Sequence, residues 1–260
     1  CQTDLVSDQS TGLGEPSRTL ALLWRTSPAP RRKGPARSVT VEQVVQAALR
    51  LADEQGLAAV TMRAVADSVG VSAMSIYTYV PAKPELLDLM VDSCYAAMPR
   101  TTWSDQPWRT RLAVVAEANR ALLVAHPWLT EVAALSRPPL GPGVMAKYEH
   151  ELAAFDDTGL SDLDTDAALT HLLGFVQAHC RAAHDAARST TDSAMSDAEW
   201  WQANQPILAR ALDPDTYPRA VRVGAAAGEA QGGAWAADRH WTFGLARTLD
   251  GLAALINSQT

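Results

Sequence analysis

Apolar positions along this chain recur at helical rather than strand spacing. Between residues 39 and 56, Val41, Val44, Val45, Ala48, Leu49, Leu51 and Ala52 form one stripe, with Thr40 as a capping residue, Glu42 in the first turn and Gly56 as the stop. Residues 61–80, TMRAVADSVGVSAMSIYTYV, read as two short helices around a tight turn. Thr61 and Ser72 stand where N-caps belong, Val65, Ala66 and Val69 form the first apolar face, and Gly70 breaks the chain where a left-handed residue is needed. Ile76 and Val80 turn back onto the first helix, leaving Ala73, Met74, Ser75, Thr78 and Tyr79 outward. With residues 39–56 as a supporting helix, this is a three-helix unit built on a helix-turn-helix.

Beyond it, Pro84 is tolerated in the first turn of a helix whose apolar run reaches Met98. Prolines 99, 107, 127, 138, 139 and 142 then punctuate helical segments at 107–125 and 143–157. A long helix over 160–188 and another from Trp200 to about Leu212 follow. Residues 214–233, rich in Ala, Gly and Pro, predict a mobile loop with some helix. In residues 235–256, Trp241, Phe243, Leu245, Leu249, Leu252 and Leu255 leave two apolar faces, one for the subunit's own core and one for a partner. No stretch sustains period-two alternation, so the expected fold is all-α: an N-terminal three-helix DNA-binding domain with a helix-turn-helix, then a larger helical domain. The expected divisions are 1–38, a disordered basic arm; 39–84, the DNA-binding domain; and 85–260, the body.

Composition narrows the class. No apolar run approaches the roughly 20 residues of a membrane span. Cys1, Cys94 and Cys180 are odd in number and lack CxxC spacing, so neither a disulfide framework nor a zinc site is indicated, and a cytoplasmic protein without cofactor or metal fits best. Charge changes the picture more. The net charge is −7, yet residues 18–83 hold nine basic and four acidic groups, while residues 84–260 hold 13 basic and 22 acidic ones. A basic N-terminal quarter on an acidic body suits a protein that approaches phosphates with one end only. The RRKGPAR cluster at 31–37 is either a solvated linker or an arm lying along the phosphates or in the minor groove. Lys83 beside a helix amino end adds a phosphate clamp.

Residues 56–90, GLAAVTMRAVADSVGVSAMSIYTYVPAKPELLDLM, closely resemble the tetracycline-repressor (TetR) family of transcriptional regulators, through the small-x-x-Tyr end of the second helix and the following Lys-x-x-Leu-Leu. AHPWLTEVAALSRPPLGPGVM (125–145) and HWTFGLARTLDGLAALI (240–256) are similar to that subgroup's C-terminal domain. The resemblance implies a homodimer reading a palindromic operator and a body that releases double-stranded DNA when it binds a small molecule. It implies phosphate contacts from Thr61 and Tyr79, a base or phosphate contact from Arg63, and a groove surface of Met62, Ser72, Ala73, Met74, Ser75, Tyr77 and Thr78. Arg63 is the best candidate for bidentate reading of guanine, and Tyr77 suits either the groove or the core.

Well-known members hold a magnesium chelate of tetracycline through a histidine that aligns near Ala133 here, so a metal-dependent pocket is not expected. Asn119, Met145, Tyr148, Glu149, His171, Phe175 and Trp201 are instead the candidates for an apolar cavity with a few polar anchors. His184, Trp241, Leu245, Leu249 and Leu252 are candidates for the dimer seam. Cys180 and His184 share a helix face beside His179, but without a third ligand they read as structural. A helical carrier or enzyme with a vestigial DNA-binding unit is the alternative function, and sequence does not separate repressor from activator.

Overall fold

The computed structural model describes residues 11–26, 39–103, 105–233 and 235–258. These form an all-α fold: α1 (Pro16–Leu23), α2 (Val41–Gln55), α3 (Met62–Ser68), α4 (Ala73–Ile76), α5 (Lys83–Ala97), α6 (Trp108–Ala125), α7 (Leu129–Val132), α8 (Pro142–Leu152), α9 (Asp162–Ser193), α10 (Asp197–Ala211), α11 (Pro218–Gln231) and α12 (Ala237–Asn257). None of the described helices is long and apolar enough to cross a membrane.

Local chemistry sets the first unit. Thr40 and Gln43 close a reciprocal capping box on α2, and Thr61 Oγ1 accepts the Ala64 N–H at 3.1 Å to start α3. Gly70, at φ +72°, turns the chain left-handed so that the Val71 N–H reaches the Ala66 carbonyl at 3.0 Å. Ser72 then caps α4 by accepting the Ser75 N–H. Val44, Val65, Ile76 and Val80 meet in a fully buried core between the three helices.

α5 links this unit to the body and is enclosed on every side: each residue from Glu85 to Asp92 is buried. It packs on α2, on α1 and most extensively on α8. Two features permit that last contact. Asp92 Oδ1 accepts the Val144 N–H at 2.9 Å, supplying from α5 an acceptor for the otherwise free amides at the α8 amino end. Gly143 lets the backbones meet, since a Cβ there would overlap the Asp92 carbonyl oxygen and lie 2.9 Å from the Ala96 nitrogen. Burial, the larger influence, raises the Asp92 carboxyl above its usual range, and the amides of Val144 and Gly143 oppose it.

Three expectations are corrected. Within the arm expected to be disordered, residues 11–26 form an ordered strap. Glu15 caps α1, the Thr11 hydroxyl donates to the Val132 carbonyl, the Gly12 N–H donates to Asp88 Oδ1 at 2.9 Å, and Trp24 Nε1 donates to the Leu140 carbonyl at 2.8 Å. The Ser, Gly and Pro content of the segment hid a short apolar face, Thr19 and Leu23, that docks on α5. The 31–37 cluster lies outside the described residues. Residues 218–231, within the expected loop, form α11, because its alanines carry enough helix propensity and Pro218 fits the first turn. Finally, α12 packs on α6 and α9 of its own chain, while Phe243, 65% exposed, leaves part of its second apolar side open. Trp241, Leu249 and Leu252 are buried within the chain and Leu245 packs on them, so these four do not form an open seam.

Other elements are left more open still. Buried residues of α9 end at Cys180, and α10 and α11 have none, although Trp200, Ile207, Leu208, Tyr217 and Val223 stand exposed on or beside them. His184 sits half-buried on that overhanging part of α9.

Gly143→Ala is expected to force α5 and α8 apart and lower stability by about 1–3 kcal/mol, the usual cost of overpacking. Urea unfolding of the variant against the unmodified chain measures it, and an unchanged midpoint would show that the close approach is not needed.

Candidate DNA-binding surface and effector cavity

The outward side of the helix-turn-helix carries Arg63, Ser72, Ala73, Met74, Tyr77 and Thr78, all exposed, with Met74 80% exposed. Tyr77, which suited either role, is 48% exposed and looks outward; Tyr79 is half-buried against the core. Met62 is corrected: as the first residue of α3 it points inward and is 9% exposed, so it supports the turn instead of facing a groove. Several hydroxyls already have local partners. Thr61 and Ser72 act as caps, Ser72 Oγ lies 2.8 Å from Ser75 Oγ, and the Thr78 hydroxyl donates to the Ser75 carbonyl at 2.7 Å. Arg63 is therefore the strongest hydrogen-bond donor on this face. Lys83 is half-buried as the first residue of α5.

In the body, a cavity of about 280 Å³ opens between α5, α8, α9 and the segment after α7. Val91, Leu135, Pro138, Pro139, Leu169 and Leu173 give it apolar walls. Its polar groups sit in two places. Tyr148 Oη donates to Asp166 Oδ1 at 2.8 Å, and that hydrogen bond is the main reason the phenol's pKa is raised. Deeper, Lys147 Nζ meets Glu151 Oε2 at 2.6 Å, Asn119 Nδ2 donates to Glu151 Oε1 at 2.6 Å, and Lys147 stands 5.0 Å from the Tyr95 ring centre. Burial pulls the Lys147 pKa down, and the Glu151 charge holds it up.

The structure sorts the cavity candidates. Met145 and Tyr148 line the cavity, as does Ala133. Asn119 lies behind it, in a smaller gap shared with Tyr95 and Lys147. The other four are corrected. Glu149 lines a separate acidic cleft with Asp156, Asp157 and Asp162, and Tyr148 borders both that cleft and the cavity. His171 is exposed on α9. Phe175 stacks on Trp241 with ring centres 5.4 Å apart, closing the α9–α12 seam over Gly244. Trp201 packs on Gly228 of α11. The sequence reading missed Tyr95, Lys147, Glu151 and Asp166. Lys147 and Glu151, of opposite charge and four apart on one helix face, were the available signal. The two internal thiols are buried, and burial pushes Cys94 up to about 12 and Cys180 up to about 11, so neither is a nucleophile at neutral pH.

Lys147→Met alone is expected to cost about 3–5 kcal/mol, because it leaves Glu151 charged, buried and unpaired, whereas Lys147→Met with Glu151→Leu should recover most of that loss. Urea unfolding of both variants decides; equal losses would mean that the pair does not act as a unit.

Comparison with known proteins agrees with this architecture. Residues 44–90 match the description "Bacterial regulatory proteins, tetR family", and residues 102–256 match "Tetracyclin repressor-like, C-terminal domain". The HTH-type transcriptional repressor DrrR1 of Streptomyces coeruleorubidus is 38% identical over 251 residues, covering 96% of this chain and 90% of that protein. Apo ActR from Streptomyces coelicolor superposes with a TM-score of 0.70 at 24% identity, covering 88% of this chain and all of that one. The same protein in complex with actinorhodin gives a TM-score of 0.69 at 23% identity over 84% of this chain and 97% of that one. BioQ of Mycobacterium smegmatis, with its double-stranded DNA operator, gives 0.55 at 22% identity over 84% of this chain and 99% of that one. At these identities the solved structures speak for the fold alone. The two family matches and DrrR1 speak for more: the chain belongs to the tetracycline-repressor family of transcriptional regulators and is not an enzyme.

Proposed function

We propose that the chain is a repressor that binds a palindromic operator as a homodimer and is released by a small, largely apolar effector held between α5, α8 and α9. The observation that carries this reading is the double use of α5. Its residues Val91 and Tyr95 form cavity wall, and its first residue, Lys83, is separated from Val80 at the end of the recognition segment by only two residues. A ligand that binds better to one setting of α5 against α8 thereby favours one setting of the DNA-binding unit, in proportion to its differential affinity. DrrR1 is itself called a repressor, ActR was solved with actinorhodin and BioQ with its operator, which supports each part of the reading by likeness.

The lining selects the effector's chemistry. Flat apolar walls of leucine and proline suit an aromatic or polycyclic body, and the Tyr148–Asp166 and Lys147–Glu151 pairs suit an oxygen-rich edge. On DNA, Arg63 reads guanine or a phosphate, Thr61, Tyr79 and Lys83 contact phosphates, and Ser72, Ala73, Met74, Ser75, Tyr77 and Thr78 face the groove. Few of these are bidentate donors, so thymine-methyl contact through Met74 and DNA shape carry part of the specificity. The division at residues 84 and 85 places α5 within the body, from which it acts as the lever. Dimerisation uses the overhanging part of α9 with α10 and α11, where Trp200, Ile207, Leu208 and Val223 stand exposed and a partner would cover them.

Gel-shift assays on DNA flanking the protein's own gene test the reading. The unmodified chain should bind a two-fold symmetric site, and Arg63→Ala should weaken it by about 1–3 kcal/mol. Tyr148→Phe should leave operator affinity unchanged while raising the effector concentration needed for release. If the unmodified chain shifts no such fragment, the repressor reading fails and a helical carrier becomes the better account. Ile207→Glu should convert a dimer to monomer in sedimentation equilibrium, and a persisting dimer would remove α10 from the interface.

A further inference from the structure

α5 carries two buried acids that the effector cavity does not use. Glu85 and Asp88, 4% and 0% exposed, lie one turn apart beneath the strap. Asp88 Oδ1 accepts the Gly12 N–H, but Asp88 Oδ2, Glu85 Oε2 and Thr19 Oγ1 are buried with no hydrogen-bond partner among the described residues. Asp88 and Thr19 both line a second cavity, of about 330 Å³, whose remaining walls are mostly strap residues and the 136–140 segment. Pro138, Pro139 and Leu140 border both cavities, so one short stretch of chain separates them.

The surrounding charges do not neutralise these acids. Among the described residues no ion pair involves Glu85 or Asp88: Arg25 on the strap pairs with Glu42, and Arg137, whose main chain and Cβ face Gly12, is exposed at the mouth. Asp92, the next acid along α5, is engaged with the α8 amides. A buried carboxylate without a cation is costly, so it either takes up a proton or receives a cation from outside. Calcium would call for six to eight oxygen ligands, and three unpartnered oxygens fall well short. An ammonium group needs fewer ligands: Asp88 and Thr19, which line the cavity, can accept its N–H donors beside the Glu85 charge, and the prolines and leucines leave space for a carbon body.

We propose that the strap-covered cavity binds the protonated amine of a small amphiphilic molecule, an alkyl- or arylammonium ion. Asp88 and Thr19 accept its N–H groups, the nearby Glu85 adds negative charge from behind the wall, and Leu20, Leu23 and the 138–140 segment hold its carbon skeleton. The site is distinct from the effector cavity and stands whether or not that cavity's assignment is right. In the free protein, burial above all pushes the Asp88 carboxyl up to about 6, with the Glu85 charge adding and the Gly12 N–H opposing. The amine needs the ionised form, so its affinity is full above that pH and falls by about tenfold per unit below it.

Calorimetric titration of the full chain with phenethylammonium chloride, and with 2-phenylethanol as its neutral analogue, tests this. The expected result is one ammonium ion bound per chain, with the alcohol about tenfold weaker or worse. Asp88→Asn keeps an acceptor for Gly12 and should erase the preference for the amine; Glu85→Gln should weaken it; Tyr148→Phe, in the other cavity, should leave it unchanged. If the Asp88 variant does not fold, the pH series on the unmodified chain decides alone. Equal affinity for amine and alcohol, an affinity flat from about pH 7 to 5, or an Asp88→Asn chain that still prefers the amine would each overturn the proposal.

Discussion

The enclosure of α5 is the constraint on which the rest of this structure depends. A helix buried from Glu85 through Asp92 cannot move without disturbing α2, α1 or α8. Helices packed in this way rearrange between discrete settings, because a close-packed interior has little room for gradual deformation. Gly143 and Asp92 tighten that condition at the α8 contact, one by omitting a side chain and the other by supplying an acceptor. The DNA-binding unit has its own small core, but its direction relative to the body is inherited from α5.

Buried polar groups around α5 and α8 mark where the body departs from simple apolar packing. Lys147, Glu151 and Asn119 satisfy one another in a network that closes the floor of the effector cavity. Glu85 and Asp88 do not have such partners among the described residues. A satisfied network fixes one arrangement, whereas an unsatisfied one leaves a demand that a proton or a ligand meets. The strap lies over the second kind and reaches the wall of the first cavity through Leu140, so both polar clusters bear on the same segment of chain.

Much of the fold was legible because it is local. Thr40, Thr61, Ser72 and Gly70 act through hydrogen bonds and backbone angles set within a few residues, and α2, α3 and α4 follow from them. Non-local facts were harder to read. Two apolar faces on α12 suggested a partner, yet Trp241, Leu249 and Leu252 are buried within the chain, where α12 packs on α6 and α9, and Phe243 is what stays exposed. Thr19 and Leu23 anchor the strap only because α5 is there to receive them. On the site, Met145 and Tyr148 line the cavity, whereas Phe175 and Trp201, equally plausible by residue type, pack against Trp241 and Gly228. Tyr95 and Lys147 escaped notice because what marks them is a shared position between α5 and α8, which residue type alone does not carry.

The central claim is that the cavity and the helix-turn-helix are joined through α5, and the separation of the two DNA-binding units in the dimer tests it most directly. Spin labels at Asp67→Cys, exposed on α3 while the internal thiols are buried, report that separation by pulsed electron resonance. With operator bound, the account predicts recognition helices set for successive major grooves, about 34–36 Å apart. With a compound that releases the operator, it predicts a second, distinct distance. One unchanged distance in both states, with DNA nonetheless released, would contradict it.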